Sequence, residues 1–426
     1  MLQTDYSSRY SLSHLMEVFP SPGKRYTLSP TPSKWRQRDI LIQNWFDHLN
    51  DQAPWDLYIH IPFCKSICTF CGCNVKITEG HDQEGIYIDK IIQEWSFYKK
   101  EFPQAKVNNL FIGGGTPNAL SDKNLARLLE NFEFEGLSIE LAPQLFTESQ
   151  AKILSQFKVR RVSFGVQDLD QHVLQNVNRQ QKTEDVYNAL FLARKYGLGD
   201  ISIDLIYGMP LQTSHTIEKT FTKILSQYPD LVYYYPLAHV PWQASRQKAY
   251  GHFESTAQKQ KNILYEKGVN KLNQEGYKNL GFNAFVLKDS SLDYSHSLKR
   301  NICSIGSDLS STLIGLGVSS ITSNNKMYLQ NHKIIEKYLH SDQKERKLFP
   351  IGYIKSEYDI SLESIFQKVF EDKVIKDQNY NFTNMTRYGL LEKNKGFYKV
   401  TEAGLHFLPH ILDQLEKQLH SNNRYS

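Results

Sequence analysis

The chain has 426 residues, 40% hydrophobic, 12% aromatic and 22% charged, which supplies a large core and excludes a mainly disordered protein. Fifty basic and 45 acidic residues leave a net charge of +5; the excess is too small to argue for nucleic-acid binding, although it suits an anionic substrate. No stretch reaches the roughly 18 apolar residues that span a bilayer, and residues 1–6 lack the basic-then-apolar order of a signal peptide, so neither a membrane partner nor export is expected and the location expected is cytoplasmic.

After an arm over residues 1–50, apolar runs of strand length alternate with helical patterns. A strand over 55–61 leads into a cysteine-rich loop, then a helix over 85–101. The strand 107–112 ends in Gly113-Gly114-Gly115-Thr116-Pro117 and is followed by a helix over 122–131. The strand 137–141 carries Glu140 and precedes a helix over 149–156. The strand 161–166 runs into Gly165-Val166-Gln167-Asp168, with a helix over 185–195 beyond it. The strand 201–207 carries Asp204, and a helix follows over 215–226. A strand over 231–237, a helix over 256–274 and a strand over 277–282 complete the alternation.

Repeated βα units imply a parallel sheet, either open or closed as a barrel. In barrels, chemistry gathers at the C-terminal ends of the strands, where the cysteine loop, the glycine turn, Glu140 and Asp204 all fall. A carboxylate inside an apolar strand is costly unless it is paired or ligand-bound. The expected organisation is an N-terminal arm (1–50), a barrel-like core (51–325) and a C-terminal region (326–426), with a charged linker over 336–347 and a late strand over 397–400.

Four of the five cysteines, Cys64, Cys68, Cys71 and Cys73, share ten residues. Structural zinc would need a second pair at a distance, which this chain lacks. The C-x3-C-x2-C spacing can wrap three corners of a cubane, leaving one iron open to a non-protein ligand. An iron–sulfur cluster is therefore the reading, with zinc the alternative. Cys73, as a fourth ligand only one residue beyond Cys71, would strain the loop, and it is placed at the active site or outside the ligand set.

The cysteine loop, Gly-Gly-Gly-Thr-Pro, Gly165-Val166-Gln167-Asp168 and Asp204-Leu205-Ile206-Tyr207-Gly208 together resemble the radical S-adenosylmethionine (SAM) enzymes. Tyr58-Ile59-His60-Ile61-Pro62-Phe63, the Cys-x-Cys ending, Gly23-Lys24-Arg25-Tyr26-Thr27, Ala238-His239-Val240-Pro241 and Gly315-Leu316-Gly317-Val318-Ser319-Ser320-Ile321 resemble more narrowly the oxygen-independent coproporphyrinogen III oxidase (dehydrogenase) family. The resemblance implies an α/β fold: a partial or full parallel β/α barrel with an N-terminal arm and a small, helical, winged-helix-like C-terminal domain. It implies a [4Fe–4S] cluster on Cys64, Cys68 and Cys71, and one or two SAM molecules. Tyr58, Phe70, Gly114, Gly115, Thr116 and Glu140 would line the first. Gln167, Arg179, Asp204, Ala238 and Ile321 would extend the site towards a second. Cys73 would be a catalytic candidate.

The chemistry implied is reductive SAM cleavage to a radical that takes hydrogen from a propionate side chain. Loss of CO2 and an electron leaves a vinyl group, and two rounds yield protoporphyrinogen IX for haem biosynthesis. A tetrapyrrole substrate, an electron donor and a monomeric enzyme are expected with it. Arg25 is a candidate cation for a substrate propionate, with Lys299 and Arg300 as weaker ones.

The departures from the family pattern fall on the substrate side. Gly281-Phe282-Asn283-Ala284-Phe285 lacks a histidine usual in the family, and Cys303-Ser304-Ile305-Gly306 replaces a glycine–tyrosine step. Two other readings therefore stay open. One is a related radical SAM enzyme that opens haem, methylates or cyclopropanates. The other is a haem-binding or haem-delivery protein, against which Cys73 speaks, because the haem-chaperone relatives usually lack it. His60 and His239 lie in motifs, without a pairing that makes axial haem ligation the default.

Overall fold

The computed structural model describes residues 10–20, 30–36, 40–238, 254–288, 290, 298–341 and 348–422. Twelve strands form its main sheet: β1 (Trp55–Ile61), β2 (Val107–Gly114), β3 (Gly136–Leu141), β4 (Val159–Gln167), β5 (Asp200–Tyr207), β6 (Leu231–Pro236), β7 (Tyr277–Gly281), β8 (Ala284–Leu287), β9 (Thr312–Leu316), β10 (Ile321–Ser323), β11 (Met327–Gln330) and β12 (Ile351–Ile354). The spatial order is β7-β8-β6-β5-β4-β3-β2-β1-β9-β10-β11-β12. From β6 to β9 every pairing is parallel, which makes seven parallel strands. The order runs from edge to edge without closing, so the partial barrel is the form adopted.

The crossovers are helical: α2 (Glu84–Glu101), α3 (Asp122–Glu130), α4 (Glu148–Leu154), α5 (Gln171–Asn176), α6 (Thr183–Lys195), α7 (Ser214–Leu225) and α8 (Glu254–Gln274), after an N-terminal α1 (Leu12–Val18). Side chains mark where several begin. Ser121 caps α3, Asp170 accepts from two N–H groups of α5, and Thr147 with Gln150 forms a capping box on α4.

One expected barrel strand pairs differently. The 277–282 segment is β7, antiparallel to β8 across a two-residue turn. Phe282 and Asn283 both have positive φ, 52° and 64°, the backbone of a tight hairpin connection. The seventh parallel strand is instead β9, on the far side of β1. Nor does the sheet stop at residue 325, because β11 and β12 continue it; we place the end of the core after residue 354. Part of the expected linker is the helix α9 (Ile335–His340), with Tyr338 fully buried.

The C-terminal unit holds α10 (Glu357–Asp372), α11 (Thr383–Arg387), α12 (Leu408–Asn422) and an antiparallel sheet of β13 (Val374–Lys376), β14 (Leu391–Asn394) and β15 (Phe397–Val400), ordered β13-β15-β14. Helices beside a small three-stranded sheet agree with the winged-helix-like expectation. Its core includes Leu15 and Phe19 from the α1 end of the chain and Leu280, Ala284 and Val286 from the β7–β8 hairpin.

Candidate functional site

Alternation along the parallel strands divides the sheet into two chemistries. One face carries Leu57, Ile59, Ile112, Ile139, Val162, Phe164, Ile203, Leu205 and Val232, all buried in the main core. Tyr58, Ser138, Glu140, Arg161, Ser163, Asp204, Tyr233 and Tyr235, two apart along their strands, line a cavity of about 450 Å³ on the other face. The loop from Arg300 to Ile305, with Ser319 and Ile321, closes its opposite wall.

The cysteine loop leaves the end of β1 and is tied at many points. Gly115 and Thr116 N–H donate to the carbonyls of Ile61 and Phe63 (2.7 and 2.9 Å). Thr69 N–H donates to the Val177 carbonyl at 3.1 Å, and Asn178 donates to the Ile67 carbonyl at 2.7 Å. His60 is buried, and Nε2 lies 2.9 Å from the Asn74 carbonyl. That carbonyl requires the proton on Nε2, so Nδ1 accepts from the Tyr58 hydroxyl at 3.0 Å. Burial holds the imidazole below its ordinary pKa and therefore neutral. Gly114 has φ +112°, and a Cβ there would sit 2.6 Å from the His60 ring; one on Gly115 would meet three backbone atoms at 2.9 Å. Both positions thus demand glycine, leaving bare backbone at the strand ends.

None of the five cysteines is in a disulfide. The Cys64 sulfur lies 3.2 Å from the Thr116 hydroxyl, and Arg179 reaches the Cys68 sulfur at 3.6 Å. Arg179 also donates to the Gly165 carbonyl and, at 3.0 Å, to Gln181. Among the described residues, no three His, Cys, Asp or Glu side chains converge on a single metal ion. A cubane makes no such demand: each thiolate binds a different iron, so the sulfurs stand around a cluster. Three thiols outside any disulfide on one tied loop, with hydroxyl and guanidinium groups beside two of them, fit that donor set. The bare glycine backbone next to it leaves room for a ligand on the open iron.

Glu140 faces open space in the cavity yet lies deep within the protein. Desolvation raises its pKa, offset in part by the Gly114 N–H at 3.3 Å. Asp204 is pushed up to about 8, by burial first and by the charge of Glu140 second, while Arg179 opposes the shift. Such a cavity stabilises a cationic ligand group that faces both carboxylates.

The structure brings most of the expected site residues together. Tyr58, Glu140, Asp204 and Ile321 line the cavity. Thr116 and Arg179 touch the cysteine loop. Phe70 packs against Val173, Val177 and Met209 under that loop. Gln167 ends β4 with φ 71°. Ala238 borders a separate cavity of about 350 Å³, between Tyr235 and His406. Arg25 and His239 lie outside the described residues. Sequence reasoning missed Arg161, Tyr233 and Tyr235, and it set Cys303 apart. The Cys303 thiol lines the cavity, where burial and the Glu140 charge raise its pKa. Polar or phenolic residues two apart in otherwise apolar strands were the available pattern.

A cysteine loop and glycine turn at the C-terminal ends of parallel strands define a SAM-dependent radical enzyme, and the family model described as the Radical SAM superfamily matches residues 58–224. The anaerobic coproporphyrinogen III oxidase 1 of Cereibacter sphaeroides is 31% identical over 312 residues, 70% of this chain and 68% of the relative. The oxygen-independent coproporphyrinogen III oxidase of Escherichia coli is 31% identical over 339 residues, 76% of this chain and 73% of the relative. That of Helicobacter pylori is 29% identical over 416 residues, covering 94% and 87%. The solved structure of the Escherichia coli enzyme superposes with a TM-score of 0.82 at 25% identity, covering 94% of this chain and 98% of that one. The chain belongs to the oxygen-independent coproporphyrinogen III oxidase family. A [4Fe–4S] cluster and SAM are the cofactors of this family. Among the described residues, no helix is long and apolar enough to cross a membrane.

Proposed function

We propose that the chain is an oxygen-independent coproporphyrinogen III dehydrogenase of haem biosynthesis, an oxidoreductase that converts two propionates of its substrate to vinyl groups. The observation that carries the reading is the meeting of a tied three-cysteine loop with a polar cavity wall at the C-terminal ends of the parallel strands. Cys64, Cys68 and Cys71 hold the cluster in this reading, and Cys73 stands outside the ligand set. When bound, the cluster and SAM supply a hydrogen-abstracting carbon radical. The chain's part is placement. The Gly114–Gly115 backbone lets the methionine moiety approach, and Glu140 receives its ammonium group. Thr116 and Arg179 stand beside the Cys64 and Cys68 sulfurs and would stabilise them as thiolate ligands, and Asp204 would face ribose hydroxyls or a sulfonium. The walls of the cavity would exclude water from the reacting groups. An electron donor must reach the cluster; we take the enzyme to be monomeric and cytoplasmic.

Anaerobic incubation of the cluster-loaded protein with coproporphyrinogen III and SAM should release CO2 and give the vinyl product, read by mass. Cleavage of SAM with no vinyl product would leave another radical SAM reaction as the better account. Single Cys→Ala changes at Cys64, Cys68 or Cys71 should remove iron, sulfide and the cluster's EPR signal, whereas Cys73→Ala should keep them.

A further inference from the structure

Two arginines in the cavity wall have no carboxylate partner among the described residues. Arg161 projects from β4, donates to the Ser304 hydroxyl at 3.1 Å, and has a buried Nε without a hydrogen-bond acceptor among the described residues. Arg300 lies with its guanidinium 3.8 Å over the Phe282 ring, and one terminal nitrogen is likewise buried without an acceptor among the described residues. The neighbouring Arg160, by contrast, bonds Asp308 and Asn109.

One loop holds both groups. The Asn301 side chain accepts from Cys303 and Ser304 N–H, each at 2.8 Å, closing the turn that places Ser304 beside Arg161 and begins at Arg300. Phe282, the platform under Arg300, has a positive φ of 52°. That is the conformation the β7–β8 turn imposes, and it fixes the ring in the wall. Between the cations stand Tyr233 and Tyr235, their rings stacked 5.4 Å apart. Arg300 and Phe282 border this cavity, an adjoining one of about 440 Å³ under α10, and the cavity beside Ala238.

An arginine stays charged here: burial lowers Arg300 only to about 10. A desolvated cation without an anion is costly, and a planar fork with free N–H groups matches a carboxylate. The carboxylates Glu140 and Asp204 belong to the opposite side of the chemistry, where a cation is received. Lys299, the other candidate next to Arg300, is exposed and points to the Leu309 carbonyl at 3.4 Å.

We propose that Arg161 and Arg300 form a carboxylate-binding pair that anchors a propionate of the tetrapyrrole in the catalytic cavity, with Phe282 and the Asn301 turn as its positioning supports. The proposal rests on the function proposed above. The same carboxylate chemistry is present in a second SAM molecule, so the test separates the two.

Coproporphyrin III, the fluorescent oxidised tetracarboxylate, and its tetramethyl ester are titrated anaerobically into the cluster-loaded protein by fluorescence. SAM affinity is measured in parallel by equilibrium dialysis. Wild type should bind the acid more tightly than the ester. Arg161→Met and Arg300→Met should each weaken acid binding by about tenfold or more, leave ester binding unchanged, and so erase the preference. Arg300→Lys should recover part of it, which a merely structural role would not do. SAM affinity should be unaffected. Loss of SAM affinity with intact porphyrin binding would assign the pair to the SAM carboxylate and overturn the substrate role. Equal binding of acid and ester by wild type, or an undiminished preference in both Met variants, would overturn the pair altogether. These titrations need no turnover, so their failure is distinct from an absence of CO2 release.

Discussion

At the scale of single residues, the cavity's character comes from where a charge or a missing Cβ is placed. Asp204 illustrates the first. Its ordinary value is 3.8, and the fold raises it to about 8. Between those values the folded chain keeps a proton that the unfolded chain releases, so this group costs stability progressively as pH rises from about 4 to 8. Asp204→Asn should therefore melt like wild type at pH 4 and at a higher temperature at pH 8, measured on the cluster-free protein. The same variant should bind SAM more weakly, because the neutral amide no longer answers a cationic ligand. Gly114 illustrates the second. Its φ of +112° and the His60 ring 2.6 Å from a built Cβ leave no place for alanine. Gly114→Ala should cost about 1–3 kcal/mol in backbone strain and reduce SAM affinity, read by equilibrium dialysis.

At the scale of elements, apolar runs broken by turns marked the parallel strands to within two residues at each end, because a strand buried on one face must be nearly all apolar there. Trp55–Ile61 has the expected bounds, and the expected 137–141 strand begins one residue earlier, at Gly136. The cysteine loop and the glycine turn were legible as motifs for the same local reason: their residues are compressed into short segments. Arg161 and Tyr233 were not. Along one strand each shows only as part of a polar or phenolic alternation, and the lateral register, which aligns Tyr233 with Asp204 and Arg161 with Asp200, is what brings them to one wall. The 277–282 hairpin was misassigned because its turn uses Phe282 and Asn283 in place of the glycine that normally announces such a connection. The docking of the C-terminal unit also has a pH signature. His406 stands between Tyr265, 2.9 Å away through Nδ1, and Phe285, and desolvation lowers it to about 4. The unfolded chain takes up a proton that the folded one refuses, so this contribution is whole above pH 6.5 and is lost as pH falls towards 4. His406→Phe should flatten the acid limb of the melting curve, measured between pH 7 and 4.5.

At the scale of the whole molecule, the two largest hydrophobic cores among the described residues share one sheet. The larger lies under the parallel strands; the smaller joins α1, the β7–β8 hairpin and the C-terminal helices. Chain ends nearly four hundred residues apart therefore stabilise one another. Leu15, fully buried in that second core, should cost about 2–5 kcal/mol as Leu15→Ala. Hydrogen exchange should then accelerate in α12 while β1 to β5 stay protected.

The ties on the cysteine loop reach beyond catalysis, to how the enzyme is made. Three of its anchors involve no cysteine sulfur: the Thr69 N–H donates to the Val177 carbonyl, the Asn74 side chain to the Lys333 carbonyl and the Asn178 side chain to the Ile67 carbonyl. A zinc finger takes its shape from its metal, whereas this loop takes its shape from the protein. Iron and sulfide would then be delivered to a finished cradle, and maturation would be governed by supply and by the reduced state of the thiols. Urea unfolding of the chain should accordingly have the same midpoint with and without a strong iron chelator before loading.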